Sequence, residues 1–273
     1  VHGSNSAMLL GAIKRIFRIQ MPPILDVDIS SFHQASKSGM IHRLSQFSSK
    51  AFDYMVYHTS SQIDYYKIEF PWLVNKCEFI PLGVDYNYWK TKQYPVIPER
   101  KTYIVCVGYR KRDWNTLLKA YNESNIVEEL YLIGNPDIKC ENSKVKVLPF
   151  IPISKLMTYI TNAKFSVIPL DNFNYSFAQL TLLQQMALGV PILAADVYAI
   201  RDYIKCSNGV ISYTPYNVEN LKTKLQELSK LKETDLQKMG QSSIECTMTV
   251  LSEQQMAQRF ERICRMLCRG KEI

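Results

Sequence analysis

The chain has 273 residues, 47% of them hydrophobic, and a formal net charge of +8. That length and apolar content suffice for a sizeable core in one large or two modest domains, and they exclude a disordered chain. The positive balance favours an anionic partner, and charge alone leaves nucleic acid, an acidic membrane face and a phosphorylated ligand equally open.

The chain opens on Val1-His2-Gly3 without the charged, apolar and small-residue order of a signal peptide, so an upstream start is expected. Residues 7–19 are apolar but carry Lys14, Arg15 and Arg18, and fall short of the roughly 18 uninterrupted apolar residues of a membrane-spanning helix. This piece and residues 40–52 are basic and amphipathic, which suits either peripheral contact with an anionic bilayer or a solvated helix face packed on a sheet. Short apolar runs at 23–27, 54–58 and 77–81 read as strands of part of an α/β domain. Prolines and polar residues over 90–101 mark a linker.

Beyond the linker, strands are predicted at 102–108, 129–134, 145–149, 165–170, 191–194 and 210–213, with helices at 114–121, 154–160, 180–188 and 218–230. Continuous rather than alternating hydrophobicity in those strands implies a parallel sheet covered on both faces, in a doubly wound arrangement. Ligands of such sheets bind at the carboxyl ends of the strands, which directs attention to the loops beginning at Gly108, Gly134, Pro149, Leu170 and Ala194. Residues 251–267 form a helix-patterned end with Met256, Phe260, Ile263 and Leu267 on one side. Seven scattered cysteines without C-x-x-C spacing read as reduced thiols of a cytosolic protein.

Two segments carry candidate chemistry. In residues 174–196 a polar loop leads into an amphipathic helix that closes at Gly189. The free N–H groups of its first turn, at Gln179, Leu180 and Thr181, suit a diphosphate; an ordinary strand–loop–helix–strand unit with no ligand fits the same pattern. After the first strand of this region comes Gly108-Tyr109-Arg110-Lys111-Arg112, whose cations would neutralise a departing diphosphate there and would be a solvated loop elsewhere.

Leu182-Leu183-Gln184-Gln185-Met186-Ala187-Leu188-Gly189-Val190-Pro191-Ile192 resembles, without a gap, the stretch E-G-F-G-L-P-L-L-E-A-M-A-x-G-x-P-V-I of glycosyltransferase family 4. Further likenesses follow in the same order: Ile80-Pro81-Leu82-Gly83-Val84-Asp85 to I-P-N-G-V-D, Val105-Cys106-Val107-Gly108 to the first donor-domain strand, Leu130-Tyr131-Leu132-Ile133-Gly134 to L-x-I-x-G, Leu148-Pro149-Phe150-Ile151 to the strand before a small helix, and Asn208-Gly209-Val210-Ile211 to the return strand G-x-L-V. The resemblance spans roughly residues 77–267. It implies an α/β, GT-B-like fold: a doubly wound, Rossmann-like, parallel-sheet donor domain at 93–250, a partial Rossmann-like acceptor domain at 1–92, and a terminal helix at 251–273 that crosses back to the first domain.

The same resemblance supplies roles. The family's paired glutamates fall on Ser176 and Gln184; a glutamine retains one acceptor for a ribose hydroxyl, whereas serine is too short for the sugar contact of the first glutamate. Gln179 lies nearby as a substitute or as a solvated helix-start residue. Counting back from Leu117-Leu118 places Arg112 on the family's lysine and Arg110 one place from its arginine. Pro22-Pro23-Ile24-Leu25-Asp26-Val27-Asp28 resembles the acceptor-domain strand that ends in a histidine near the reacting sugar, so Asp28 takes that catalytic place beside Arg112. Asp26-Val27-Asp28 also spells a metal-binding D-x-D, but the nucleotide signatures lie elsewhere and no bound metal is expected. His2, Gly3 and Ser4 resemble a loop lining the acceptor cleft, while His33, His42 and His58 lack ligand spacing.

The resulting expectation is a cytoplasmic, retaining, metal-independent glycosyltransferase that uses a nucleoside diphosphate-sugar as co-substrate and needs no cofactor. Its acceptor is a glycan, a lipid-linked compound or a small molecule, with peripheral membrane contact in view. Three rivals stand against it. A non-catalytic nucleotide-sugar-binding or scaffolding protein is suggested by Ser176 and Gln184. A nucleic-acid binder lacks interleaved aromatic and basic residues, and a dehydrogenase lacks G-x-G-x-x-G.

Overall fold

The computed structural model describes residues 4–29, 32, 39–134 and 138–269. His2, Gly3 and His33 lie outside them, and Ser4 opens the first helix rather than a loop.

The first unit contains α1 (Ser4–Phe17), β1 (Leu25–Asp28), α2 (Gly39–Ser49), β2 (Tyr54–Tyr57), α3 (Gln62–Glu69), a 3-10 turn over Pro71–Lys76, and β3 (Cys77–Phe79). Its strands form a parallel sheet in the order β1-β2-β3. Successive strand residues point to opposite faces. Met55 and Tyr57 enter a core with Ala7 and Met8 of α1 and with Phe32, Phe52 and Phe70. Val56 and Leu25 face the other way, toward Ile263, Met256 and Phe260.

α4 (Tyr86–Thr91) leads into the second unit, where β4 (Tyr103–Val107), α5 (Trp114–Ser124), β5 (Glu129–Ile133), β6 (Val145–Leu148), α6 (Ile153–Asn162), β7 (Ser166–Ile168), α7 (Gln179–Ala187), β8 (Ile192–Ala195), α8 (Tyr198–Ile204), β9 (Val210–Tyr213) and α9 (Val218–Ser229) alternate. Six parallel strands run in the order β6-β5-β4-β7-β8-β9. Ile104 and Cys106 join Leu117 and Leu225 on one face, while Tyr103 and Val105 meet Met157 and Ile160 of α6 on the other. Both faces are covered, which is why these strands read as continuous apolar runs. Fully burying Leu182, Leu183 and Met186 of α7 stabilises the unit by roughly 1.5–3 kcal/mol each.

The chain then forms α10 (Glu233–Thr249) and α11 (Glu253–Arg269). α11 returns to the first unit, where Arg259 and Arg262 both pair with Glu78 of β3. α10 carries a weak helical signal in the sequence because its buried face mixes small and polar residues, Gly240, Ser243 and Thr247, with only Leu236 and Cys246 as apolar members. Its backbone touches the turn that follows α7: a Cβ at Gly240 would collide with the Gly189 carbonyl. α8 gives little signal for a different reason, being seven residues long with no side-chain cap at Val197.

One expectation is corrected outright. Cys206, just after α8, and Cys246, on α10, are joined in a disulfide with a Cα–Cα distance of 5.8 Å, well within the range that such a bond spans. They stand 40 residues apart, so only tertiary packing brings them together. Cys77, Cys106, Cys140, Cys264 and Cys268 are free. The cysteines therefore no longer argue for a reducing compartment.

Candidate functional site

The strand order reverses between β4 and β7, since the chain runs outward through β5 and β6 before returning to β7 beside β4. A crevice forms where neighbouring loops diverge in this way. The two loops that flank it, 108–112 after β4 and 169–178 after β7, are stitched at their base: Asp113 N–H donates to Pro169 O at 2.9 Å, and Asp171 N–H to Lys111 O at 3.3 Å. Above the stitching lies a cleft of about 410 Å³, lined by residues 108–112, by 175–178 and by Thr181. A larger hollow of about 610 Å³, between the linker and α6, has Lys92, Lys155 and the first turn of α6 in its lining but no strand carboxyl end.

Gly108 turns the chain at φ +114°, and a Cβ there would meet Arg112 Nη2 at 2.5 Å. Arg112 lies across this glycine, donating from Nε and Nη2 to Val107 O at 3.2 and 3.0 Å and from Nη1 to Arg110 O at 3.0 Å. Burial holds its pKa below the usual arginine value, with Asp171 opposing the shift. A guanidinium has five N–H donors, so these three bonds leave two for a ligand. Arg110 and Lys111 are exposed; Arg110 stacks on Tyr109 at 5.2 Å, and the Lys111 ammonium lies 4.0 Å from the Phe173 ring centroid.

Opposite stands the start of α7. Ala178 is held at φ +62°, in the left-handed region, and offers no side-chain cap. Leu182 N–H closes the first helical bond onto Ala178 O at 3.1 Å, so the N–H groups of Gln179, Leu180 and Thr181 have no carbonyl a turn earlier to receive them. An uncapped helix N-terminus facing a basic loop favours an anion. Of these three residues Thr181, with Ala178 just before the helix, is part of the cleft lining opposite Arg110 and Arg112; Gln179 and Leu180 are not.

The side chains divide differently. Ser176 and Gln179 are both buried, and the Ser176 hydroxyl donates to Gln179 Oε1. Gln179 Nε2 donates away from the cleft, to Ala199 O at 2.8 Å, Thr59 Oγ1 at 3.1 Å and His58 O at 3.2 Å. Ser176 still lines the cleft, with its hydroxyl turned onto Gln179, and the buried Gln179 amide is not a solvated helix-start side chain. Gln184 is half-buried one turn beyond Thr181 on the same helix and is not part of the lining.

Asp28 is buried at the end of β1, accepting from Tyr66 OH at 2.6 Å, Gln62 Nε2 at 3.1 Å and Phe32 N at 3.3 Å. It is not part of the cleft lining. Asp26 lies on the same face of β1, fully buried, and among the described residues neither carboxylate oxygen has a hydrogen-bond partner. Among the described residues, no group of three or more His, Cys, Asp or Glu side chains is placed to hold a metal ion.

Several residues of the site had no signal strong enough to find in the sequence. Phe173, Tyr175 and Phe177 cluster with ring centroids 5.2–6.2 Å apart beside the cleft. Their alternating spacing was the available hint. Phe150, after β6, meets Tyr109 edge-on at 4.9 Å and remains exposed. His58 and Thr59 follow β2 and reach the second unit through Gln179, contacts between segments more than 100 residues apart.

Residues 101–230, just under half of the chain, match the family model described as glycosyl transferases group 1. No curated protein matches the sequence. Among solved structures, sucrose-phosphate synthase from Thermosynechococcus elongatus superposes with a TM-score of 0.75 at 16% identity, covering 97% of this chain and 73% of that one. Anabaena HepE in complex with UDP-glucose gives a TM-score of 0.72 at 13% identity, covering 95% of this chain and 77% of its own. A glycosyltransferase from Rickettsia africae gives 0.64 at 14%, over 98% of this chain and 82% of its own. The architecture is that of the GT-B fold.

Proposed function

We propose that this chain transfers a sugar from a nucleoside diphosphate-sugar to an acceptor hydroxyl, with retention at the anomeric carbon; the match of residues 101–230 to the glycosyl transferases group 1 model and the GT-B fold support this reading. One observation carries the reading: a basic loop and an uncapped helix N-terminus face each other across a 410 Å³ cleft at the topological switch point. The HepE complex with UDP-glucose supplies the ligand class, on the same fold.

In this reading the N–H groups of Gln179, Leu180 and Thr181 receive the diphosphate, and Arg110 and the two remaining donors of Arg112 lie against its other side. As the bond between C1 and the diphosphate oxygen breaks, negative charge grows on the leaving group; the acceptor oxygen bonds to C1 on the same face and its hydroxyl proton passes to the departing diphosphate oxygen. Fixed donors aimed at that charge lower the barrier, and the chain's own cations make a bound metal unnecessary. Gln184 holds ribose through its carbonyl oxygen. Asp28 contributes by fixing the end of β1 through Tyr66 and Gln62, rather than by touching the sugar. The acceptor is a glycan, a lipid-linked compound or a small molecule; exposed Ile16, Phe17, Met40 and Ile41 on and beside α1 and α2 support the membrane-associated choice. Among the described residues, no helix is long and apolar enough to cross a membrane.

A second reading, a nucleotide-sugar-binding protein without turnover, is favoured by the mutual engagement of Ser176 and Gln179, which leaves no carboxylate among the cleft-lining residues. Calorimetric titration with UDP and GDP, followed by hydrolysis and transfer assays with the corresponding sugar nucleotides, separates the two. Binding with turnover supports the enzyme, binding alone supports the second reading, and failure to bind either nucleotide sinks both.

A further inference from the structure

Gln179 has its backbone at one site and its side chain at another. Its N–H belongs to the open first turn of α7, while its amide is buried between the two units. Two hydrogens on Nε2 are shared among three acceptors, on α8 (Ala199) and on the β2–α3 loop (His58, Thr59), and Oε1 receives the Ser176 hydroxyl.

The loop that Gln179 grips is held by other side chains of the second unit as well. Asp202 of α8 takes Ser60 N–H at 2.8 Å and the Ser60 hydroxyl at 2.7 Å. Asn174 accepts from the Ser61 hydroxyl at 2.5 Å and donates to Ser61 O at 3.1 Å. Tyr203 OH donates to His58 O at 2.7 Å while accepting from Leu82 N at 2.9 Å. His58 Nδ1 in turn lies 2.7 Å from Ile80 O, binding the loop to the segment after β3. Every residue from 58 to 61 thus contacts the second unit. Of the residues that hold the loop, Gln179 alone also supplies a first-turn N–H of α7.

We propose that Gln179 is a positioning residue that couples anion occupancy of the cleft to the first-unit loop 58–61. An anion drawn onto the N–H groups of 179–181 fixes the first turn of α7, and a fixed first turn holds Nε2 in register with His58 and Thr59. A buried, fully satisfied network tolerates few alternative geometries, so the two ends of the residue order together. The ligand named here rests on the proposed donor site, whereas the grip on loop 58–61 stands without it.

Hydrogen exchange of loop 58–61, read with and without UDP, tests the coupling in the wild type, Gln179→Met and Asp202→Asn. In the wild type UDP should slow exchange in the loop. Gln179→Met should keep UDP affinity within about threefold, because the backbone donors remain, yet speed exchange of the loop about tenfold and abolish its response to UDP. Asp202→Asn should speed exchange while leaving the response to UDP in place, since the Gln179 route is intact. With UDP-glucose, Gln179→Met should lower kcat for transfer while leaving KM for the donor near the wild-type value. A parallel fall in UDP affinity, kcat and melting temperature would reduce Gln179 to a structural residue and overturn the proposal. Unchanged exchange in Gln179→Met would overturn it too. If the wild type binds neither UDP nor GDP the donor-site reading falls instead, and faster exchange in Gln179→Met would still establish the grip. Should Gln179→Met fail to fold, Thr59→Val removes one acceptor and asks the same question.

Discussion

Buried polarity is handled in opposite ways at the junction of the two units and in the core of the first. Where α7 begins, each amide atom of Gln179 has a partner, and Ser176 and the loop 58–61 close the network. In the core beneath α1, Asp26 is equally buried, and among the described residues neither of its oxygens has a hydrogen-bond partner. A satisfied network specifies one geometry, whereas an orphaned group costs the free energy of leaving water without return. The contrast marks the start of α7 as a place where structure is held for use, and it yields tests in both directions.

Asp26 gives the largest effect. Burial, reinforced by nearby Asp28, pushes its carboxyl up to about 7. The unfolded chain loses that proton near the ordinary value of about 3.9, so between roughly pH 4 and pH 7 the folded state holds one more proton. This contribution is fully present below the unfolded pKa, falls as pH rises to the folded pKa, and is flat above it. Its total is on the order of 4 kcal/mol. Asp26→Asn should remove that component from the pH profile, and urea denaturation of both proteins from pH 4 to pH 8 reads the difference. Parallel wild-type and variant profiles would mean that Asp26 has found a partner in solution.

Gln185 extends the contrast within one helix. Six residues after Gln179, it is fully buried with neither amide atom bonded. It also occupies the place of an alanine in the family stretch that residues 182–192 resemble. Gln185→Met keeps the length and removes the orphaned groups, so it should stabilise by about 1–3 kcal/mol. No gain in the midpoint of unfolding would show that water reaches the amide.

These residues also separate what a sequence displays from what it conceals. The continuous apolar runs of β4, β7 and β8 announced a parallel sheet because both of its faces are covered. The start of α7 was legible because Gly189 and Pro191 punctuate the far end of its helix and a polar loop precedes it. The directions of Ser176 and Gln179 were not legible, since their partners are fixed by the packing of two units. Asp28 illustrates the same limit: its position at a strand end was readable, but its bonds to Gln62 and Tyr66 depend on how α3 lies over the sheet. The Cys206–Cys246 pair likewise needed α10 in place before any spacing could be read.

The basic loop supplies the finest test, because Arg112 combines both modes. Three of its donors tie Val107 and Arg110 carbonyls and so shape the turn, while two remain for the cleft. Arg112→Ala should weaken UDP binding about tenfold, through loss of charge-assisted bonds and of the loop's shape together. Arg112→Lys should recover little, since a single ammonium cannot span both carbonyls and still reach a phosphate. Lys111, exposed over Phe173 at φ +56°, should matter less: Lys111→Ala should cost about threefold or less, an amount that rising salt reduces further. Calorimetry at low and moderate salt distinguishes the two. An equal, salt-sensitive loss at both positions would mean that the loop acts only as diffuse positive charge, and the fixed geometry around Gly108 would then have no part in holding the diphosphate.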